Sequence, residues 1–261
     1  MEIRMLEKDK EAGKLSFILK GSIPAFANAL RRFTVEEVPV MAIEDVEIRK
    51  NNSILYDEMV AYRLGLVPLT TDLKSYNLPS KCKCKGEGCA RCQLKMTIKV
   101  KGPATVCASD IKSKDTGIKP VHSKMPIVKL LKGQDVEIEA TAILGQGKEH
   151  MKWSPGLVYY KYKPSIDIGT VKNPEAVVES CPVNIFELKE GKLTTNKDKL
   201  LTCHLCNACV DADEGIKLNE DNTEFVFYVE SWGQLDPKKM ILESVSVFKE
   251  QLDELGSKIA K

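Results

Sequence analysis

The stretch PAFANALRRFTVEEVPVMAIEDVEI, residues 24–48, reads first as a helix and then as a strand. Phe26, Leu30 and Phe33 recur at helical spacing, with Pro24 near the first turn and Pro39 beyond the end. MAIEDVEIR then has the composition of a strand. Upstream, residues 1–20 form two mixed runs around a charged turn carrying Gly13, the pattern of a hairpin. Downstream, residues 40–160 are β-rich, with KMTIKV (95–100) and QDVEIEATAIL (134–144) as the clearest strands. From 165 to 222 the strands shorten and acidic residues accumulate, and FVFYVES (225–231) returns as a strand. The chain closes on a long helix, 236–261, whose apolar residues Ile241, Val245, Phe248, Leu252, Leu255 and Ile259 are spaced 4, 3, 4, 3, 4. That heptad-like seam fits either the core of its own domain or a partner helix. The fold class is α+β.

Composition narrows the function. The chain has 261 residues, 43% of them hydrophobic and 29% charged, which is the profile of a globular protein with a real core. Lys and Arg number 39 against 37 Asp and Glu, so a net charge of +2 gives no strong electrostatic case for nucleic-acid binding. No apolar run approaches the ~18 residues of a membrane span, and MEIRMLEKDK opens no signal peptide. A cytoplasmic location with reduced thiols is expected. Nine cysteines against three histidines then stand out.

Cys203-x2-Cys206-x2-Cys209 is most of the bacterial ferredoxin pattern, and Cys181-Pro182 supplies its Cys-Pro element upstream. In two-cluster ferredoxins the Cys before Pro ligates the other cluster. A complete second motif would need Cys at 171, 174 and 177, where Val171, Pro174 and Val177 stand, and Cys-Pro at 213–214, where Asp213-Glu214 stand. One four-thiol site therefore survives and the second has lost all its ligands. Cys181, Cys203, Cys206 and Cys209 are expected to hold one iron–sulfur cluster, [4Fe-4S] or the three-ligand [3Fe-4S], with tetrahedral zinc as the competitor. His204 reads as solvent-facing. Cys82-x-Cys84-x4-Cys89-x2-Cys92 packs four more thiols around Gly86 and Gly88 and reads as a zinc loop, against reactive thiols or disulfides. Cys107, in PATVCA, is expected to be a buried structural thiol.

Other signals carry less. Gly145-Gln146-Gly147-Lys148 lacks the spacing of a phosphate loop, and no hydrolase or nucleotidyltransferase motif is visible. KWSPGLVYYKYKP (152–164) interleaves aromatics with lysine as single-strand binders do, but an edge strand or partner-facing loop accounts for it more simply. Arg31-Arg32 beside the apolar seam of the first helix fits a solvated face or an interface. A ferredoxin-like electron carrier fused to a binding domain is the alternative function, without a flavin or nicotinamide fingerprint to support it.

NALRRFTVEEVPVMAIEDVEI (28–48), DEMVAYRLGLVPLTTD (57–72) and GKEHMKWSP (147–155) resemble segments of the α-like subunits of multisubunit DNA-directed RNA polymerase, and the cluster module points to the archaeal, D-type members. The resemblance runs over essentially the whole chain. It implies a discontinuous dimerisation domain (1–40 plus 223–261), an inserted β-rich domain (41–164) and a ferredoxin-like cluster domain (165–222). It further implies a non-catalytic assembly platform that pairs with a smaller α-like subunit, L, and then gathers small subunits N and P and the two large catalytic subunits. DNA would be met only through that complex. Phe26, Leu30, Phe33, Ile241, Val245, Phe248 and Leu252 are the interface positions it implies. Zinc in eukaryotic relatives at a Cys group like 82–92 supports the metal reading there.

Overall fold

Residues 1–260 are described by the computed structural model; Lys261, the end of the expected C-terminal helix and of the 223–261 segment, lies outside the described residues. In chain order the strands are β1 (Glu2–Asp9), β2 (Lys14–Lys20), β3 (Val40–Asn51), β4 (Gln93–Lys101), β5 (Ala104–Cys107), β6 (Lys112–Ser113), β7 (Pro126–Leu130), β8 (Asp135–Gly145), β9 (Gly156–Ile168), β10 (Phe186–Lys189), β11 (Lys192–Thr195) and β12 (Ile216–Ser231). The helices are α1 (Pro24–Arg32), α2 (Asp57–Gly65), α3 (Pro174–Ser180), α4 (Ala208–Ala212) and α5 (Pro237–Ile259). The chain divides into two discontinuous compact units, one of residues 1–8, 16–29 and 159–228, the other of 9–15, 30–158 and 229 onward.

In the second unit the antiparallel sheet runs in the order β3-β8-β4-β6. Period-two alternation makes β8 its centre: Val136, Ile138, Ala140, Ala142 and Leu144 all turn to the core, while the intervening residues stay half-buried. Ile138 faces Ile48 of β3 on one side and Ile98 of β4 on the other. The sheet's apolar face is covered by α2 through Val60 and Leu64, both fully buried, and by the β5–β7 pair. Within the β-rich stretch from 40 to 160 the structure adds the helix α2. Nine residues with a weak apolar stripe do not declare a helix by periodicity; burial of Val60 and Leu64 on one side settles it. Cys107, expected to be buried, is only half-buried.

The helix that starts at Pro24 does not stop at Arg32. It widens into a π turn, Phe33–Glu37, closed by the Val38 N–H donating to Phe33 O at 3.2 Å. The glycines of Gly145-Gln146-Gly147-Lys148 let the chain press onto this turn. A Cβ on Gly145 would stand 2.3 Å from Trp153, and one on Gly147 would stand 2.2 Å from Val35 O. Gln146 Nε2 and Lys148 Nζ both donate to the Glu37 carboxylate, at 3.0 and 2.8 Å. The motif set aside as a phosphate loop is thus a packing clasp. Helix α5, capped by Asp236 with Pro237 in its first turn, packs on the same π turn: the Phe33 and Phe248 rings lie 4.6 Å apart.

In the first unit the sheet order is β1-β2-β12-β9, with β1 exposed along its whole length and β9 at the other edge. Phe17 of β2 stacks on Phe227 of β12 at 5.0 Å, and Tyr160 and Tyr162 of β9 pack on Phe225. The aromatics of 152–164 therefore serve an edge strand. The strands β9 and β12 run on past the sheet as a ribbon that Gly169 closes by donating its N–H to Gly215 O at 2.8 Å. Residues 170–215 form a small module at its end, with α3, the β10–β11 hairpin and α4 around Val177, Ile185, Phe186 and Ile216.

Within the inserted sheet region the buried Tyr76 hydroxyl donates to Asp115 Oδ2 at 2.7 Å. Burial first, then this hydrogen bond, pushes its phenol up to about 12 from an ordinary 10.0. A folded-state value above the unfolded one contributes stability that is complete below pH 10.0 and is lost as pH rises toward about 12. Burial also raises the Tyr228 phenol, so ultraviolet titration is expected to show two of the seven tyrosines ionising late, and Tyr76→Phe to remove one of the two. A late amplitude unchanged by the substitution would remove Tyr76 from the account.

Candidate metal centres

The 82–92 loop is built by two tight turns. Lys85, Gly86 and Gly88 all adopt positive φ, and the Lys85 and Cys92 N–H groups donate to Cys82 O and Cys89 O at 2.9 and 3.0 Å. The turns bring the four sulfurs of Cys82, Cys84, Cys89 and Cys92 within 4.8 Å of one another. Individual Sγ separations are 3.4 Å for Cys82–Cys84 and Cys84–Cys92, 3.6 Å for Cys82–Cys89 and 3.8 Å for Cys89–Cys92. Ligands ~2.3 Å from a tetrahedral zinc stand about 3.8 Å apart, whereas a disulfide needs ~2.05 Å. The arrangement is one that can bind a metal ion, and all nine cysteines are free thiols. Hydrogen bonds from Cys82 and Cys92, with the Gly88 and Gly86 N–H groups, bring the Cys84 thiol down to about 6, while burial pushes Cys92 up to about 12. Beside the loop, Lys81 pairs with Glu250 of α5 at 2.9 Å, an exposed contact of small energetic value.

The second set is arranged differently. Cys181, Cys203, Cys206 and Cys209 border one narrow pocket, lined otherwise by His204, Ala208, Ile166, Val183, Ile185, Phe186 and Leu218. Two of the four residues between the thiols, Leu205 and Asn207, sit in the left-handed region at φ 59° and 64°, and Cys203, Cys206 and Cys209 all line the pocket. The Ile185 N–H points at Cys181 Sγ at 3.5 Å. Cys206 is exposed and the other three are buried; His204 is exposed, as its position implied. Burial pushes the Cys203 and Cys209 thiols up, so neither ionises readily as a free thiol. Four soft donors around an apolar space, with no carboxylate among the lining residues, fit a thiolate-ligated metal centre.

Where the second ferredoxin motif has lost its cysteines, other interactions fill the space. Val177 is fully buried in the module core and Val171 packs against it. Asp213, standing where the second Cys-Pro is missing, accepts from the N–H groups of Lys172 (2.7 Å), Asn173 (2.9 Å) and Gly215 (2.8 Å). These peptide donors, Asn173 foremost, hold its carboxyl below the usual range. Register counting located this position but not its role; an Asp two residues before Gly is a weak turn signal.

The seven expected interface residues are spread between core and surface. Leu30 is buried inside the chain, Phe26, Phe33, Ile241 and Phe248 are half-buried, and Val245 and Leu252 are exposed. Met240 and Ser244 form the inner face of α5, and Leu242, Leu255 and Ile259 add to its exposed apolar surface. Leu242 was missed because it lies off the heptad seam.

Residues 46–156 match the profile of the RNA polymerase Rpb3/RpoA insert domain. A DNA-directed RNA polymerase subunit Rpo3 of Methanosphaera stadtmanae is 37% identical over 98% of this chain and 97% of the relative. The chain belongs to the α-like subunit family of DNA-directed RNA polymerase. Rpo3 of Methanosarcina acetivorans is 36% identical over 98% of this chain and 97% of its own length. DNA-directed RNA polymerase II subunit rpb3 of Dictyostelium discoideum is 33% identical over 100% of this chain and 95% of its own. The insert-domain match covers most of the β3-β8-β4-β6 sheet and all of α2 and the 82–92 loop. In this α-like subunit, DEMVAYRLGLVPLTTD supplies α2 and then Val67 and Leu69 to the insert core, while Thr71 Oγ1 accepts from the Met41 N–H at 3.0 Å.

Asp213→Ala is expected to open the module at its closed end, with faster hydrogen exchange at the Lys172, Asn173 and Gly215 amides. Because the folded carboxyl titrates below its unfolded value, the wild-type advantage is present above the unfolded pKa and fades as pH falls through the folded one. Unchanged exchange in the variant would remove Asp213 from the account.

Proposed function

We propose that this chain is the D-type assembly platform of an archaeal RNA polymerase, a non-catalytic subunit in DNA-templated transcription. The observation that carries this is the end-to-end similarity to Rpo3 proteins, combined with a long helix whose outer side displays Leu242, Val245, Leu252, Leu255 and Ile259. In this reading residues 1–40 and 223–261 form the dimerisation domain, 41–164 the insert and 165–222 the cluster domain. The smaller α-like subunit L covers the exposed side of α5, and subunits N and P and the large catalytic subunits assemble on the pair. Each fully covered leucine contributes ~2 kcal/mol. Leu252→Glu is therefore expected to weaken the heterodimer at least tenfold while the isolated chain keeps its circular dichroism. Co-purification of this variant with L at wild-type yield would place the interface elsewhere.

Cys181, Cys203, Cys206 and Cys209 are assigned to one iron–sulfur cluster, [4Fe-4S] or [3Fe-4S], and Cys82, Cys84, Cys89 and Cys92 to zinc. The three Cys at two-residue gaps, the Cys-Pro upstream and the apolar cavity support the first; sulfur separations of 3.4–3.8 Å support the second. A bound cluster supplies thiolate–iron bonds that tie α4, the α3 end and the loop before them, so the module's fold is linked to metal binding. Cys203→Ser is expected to abolish iron and sulfide, keep zinc at one per chain, and make residues 170–215 protease-sensitive. Full protection of the iron-free variant would defeat this stapling role.

A further inference from the structure

Lys161 is left unexplained by the polymerase reading. It lies on β9 and its side chain is half-buried. Its Nζ donates to two carbonyl oxygens of the cluster loop, Leu201 at 2.5 Å and Cys203 at 2.8 Å. The same ammonium stands 5.6 Å from the centre of the Tyr228 ring, and the Tyr228 hydroxyl donates to Leu201 O at 3.4 Å. Among the described residues no carboxylate pairs with it, whereas its neighbour Lys163 pairs with Glu224 at 2.6 Å.

Carbonyl dipoles and a ring face satisfy the donors of an ammonium but do not cancel its charge. Half-burying a cation without a counter-ion is costly, so a nearby anion is expected. The thiols supply it. The Lys161 ammonium sits on the Cys203 backbone carbonyl at 2.8 Å, and Cys203 shares its pocket with Cys181, Cys206 and Cys209. As free thiols these groups are neutral and Lys161 has no counter-charge. As metal ligands they are thiolates, and four thiolates around a dicationic cluster core or a zinc ion leave a net dianion.

We propose that Lys161 is the counter-ion of the metallated Cys181, Cys203, Cys206 and Cys209 set, fixing the 201–203 backbone through its carbonyls while its charge offsets that of the bound centre. This rests on the metal reading above and goes further by naming the residue that sets the centre's charge balance. Lys161 does not touch the metal; it is a positioning and tuning residue. A fixed cation beside a cluster favours the reduced state, which carries one more negative charge.

The test uses the full chain co-purified with its α-like partner, as wild type, Lys161→Gln and Lys161→Arg. Dithionite donates one electron to each cluster, and electron paramagnetic resonance follows the reduced fraction against potential. At the potential that half-reduces the wild type, Lys161→Gln is expected to raise the oxidised-to-reduced ratio about tenfold, a shift of about 59 mV for a one-electron couple. Lys161→Arg keeps the ratio within about twofold, because it retains the charge. A fully loaded Gln variant with the wild-type midpoint overturns the proposal. Loss of metal from Gln but not from Arg supports it, and equal loss from both reduces Lys161 to a backbone tie and overturns it. If the wild type holds zinc at these cysteines, the cluster reading fails alone: release of zinc to a chelator is then expected to be about tenfold faster from Gln and unchanged from Arg, and equal rates overturn the counter-ion. A wild type with neither iron nor zinc at these four cysteines overturns both readings.

Discussion

Glu37 holds the second unit together. Its carboxylate lies on the π turn after α1 and is only 15% exposed. It accepts from Gln146 and Lys148, at the end of the insert, and from Gln251 of α5 at 3.1 Å. A carboxylate that only accepts needs such donors once it leaves water. The donors come from 109, 111 and 214 residues away in the chain, so one side chain joins three segments that sequence order separates. Doubling the closed length adds only about 0.6 kcal/mol to loop closure, so reaching to residue 251 instead of 146 is thermodynamically minor. Its effect falls on folding rate, since contacts at such separation form late. A discontinuous unit is thus compatible with ordinary stability provided the joining turn has the right shape, and Gly145 and Gly147 permit that shape by letting Trp153 and Val35 approach the backbone.

The two cysteine sets follow different physical logics. In the 82–92 loop the sulfurs are already at touching distance, because Gly86 and Gly88 reverse a chain of eleven residues within the reach of a single ion. In the module the thiols border a space instead, and Leu205 and Asn207 between them take a left-handed backbone. Left-handed conformations at non-glycine residues cost of order 1–3 kcal/mol each, a cost that persists only where something overdetermines the loop. The buried Ile185, Phe186 and Val177 supply part of that constraint, and a metal bound by these thiols would supply the rest.

Much of this was legible in the residues. The strands β3, β4 and β8 follow from composition and alternation, α5 from its apolar spacing, and the four-thiol sets from their gaps. What was illegible depends on tertiary partners. A stripe of two fully buried residues, Val60 and Leu64, is too short to signal α2. The seam Ile241–Ile259 carried no indication that Phe248 would turn inward onto Phe33 while Leu242, off the seam, faced out. Lys161 and Lys163 alternate identically in YYKYKP, and only the fold shows that one meets a carboxylate and the other meets carbonyls beside thiols.

The positions that depart from a two-cluster pattern contrast with the four thiols that keep it. At the positions where a second motif would need cysteines, Val177 enters the core, and Asp213 gathers the peptide donors of 172, 173 and 215. Asp213 does so at the closed end of the β9–β12 ribbon, where the backbone already approaches itself at Gly169 and Gly215. At the four-thiol site three of the core's seven buried members are the thiols Cys181, Cys203 and Cys209, so substituting them would demand replacing the core itself. Thiols that are also packing are hard to replace one residue at a time, since each one lost removes a core contact. On that argument these thiols serve the fold of the small module as well as any centre they hold, because the module has little other interior to fold around.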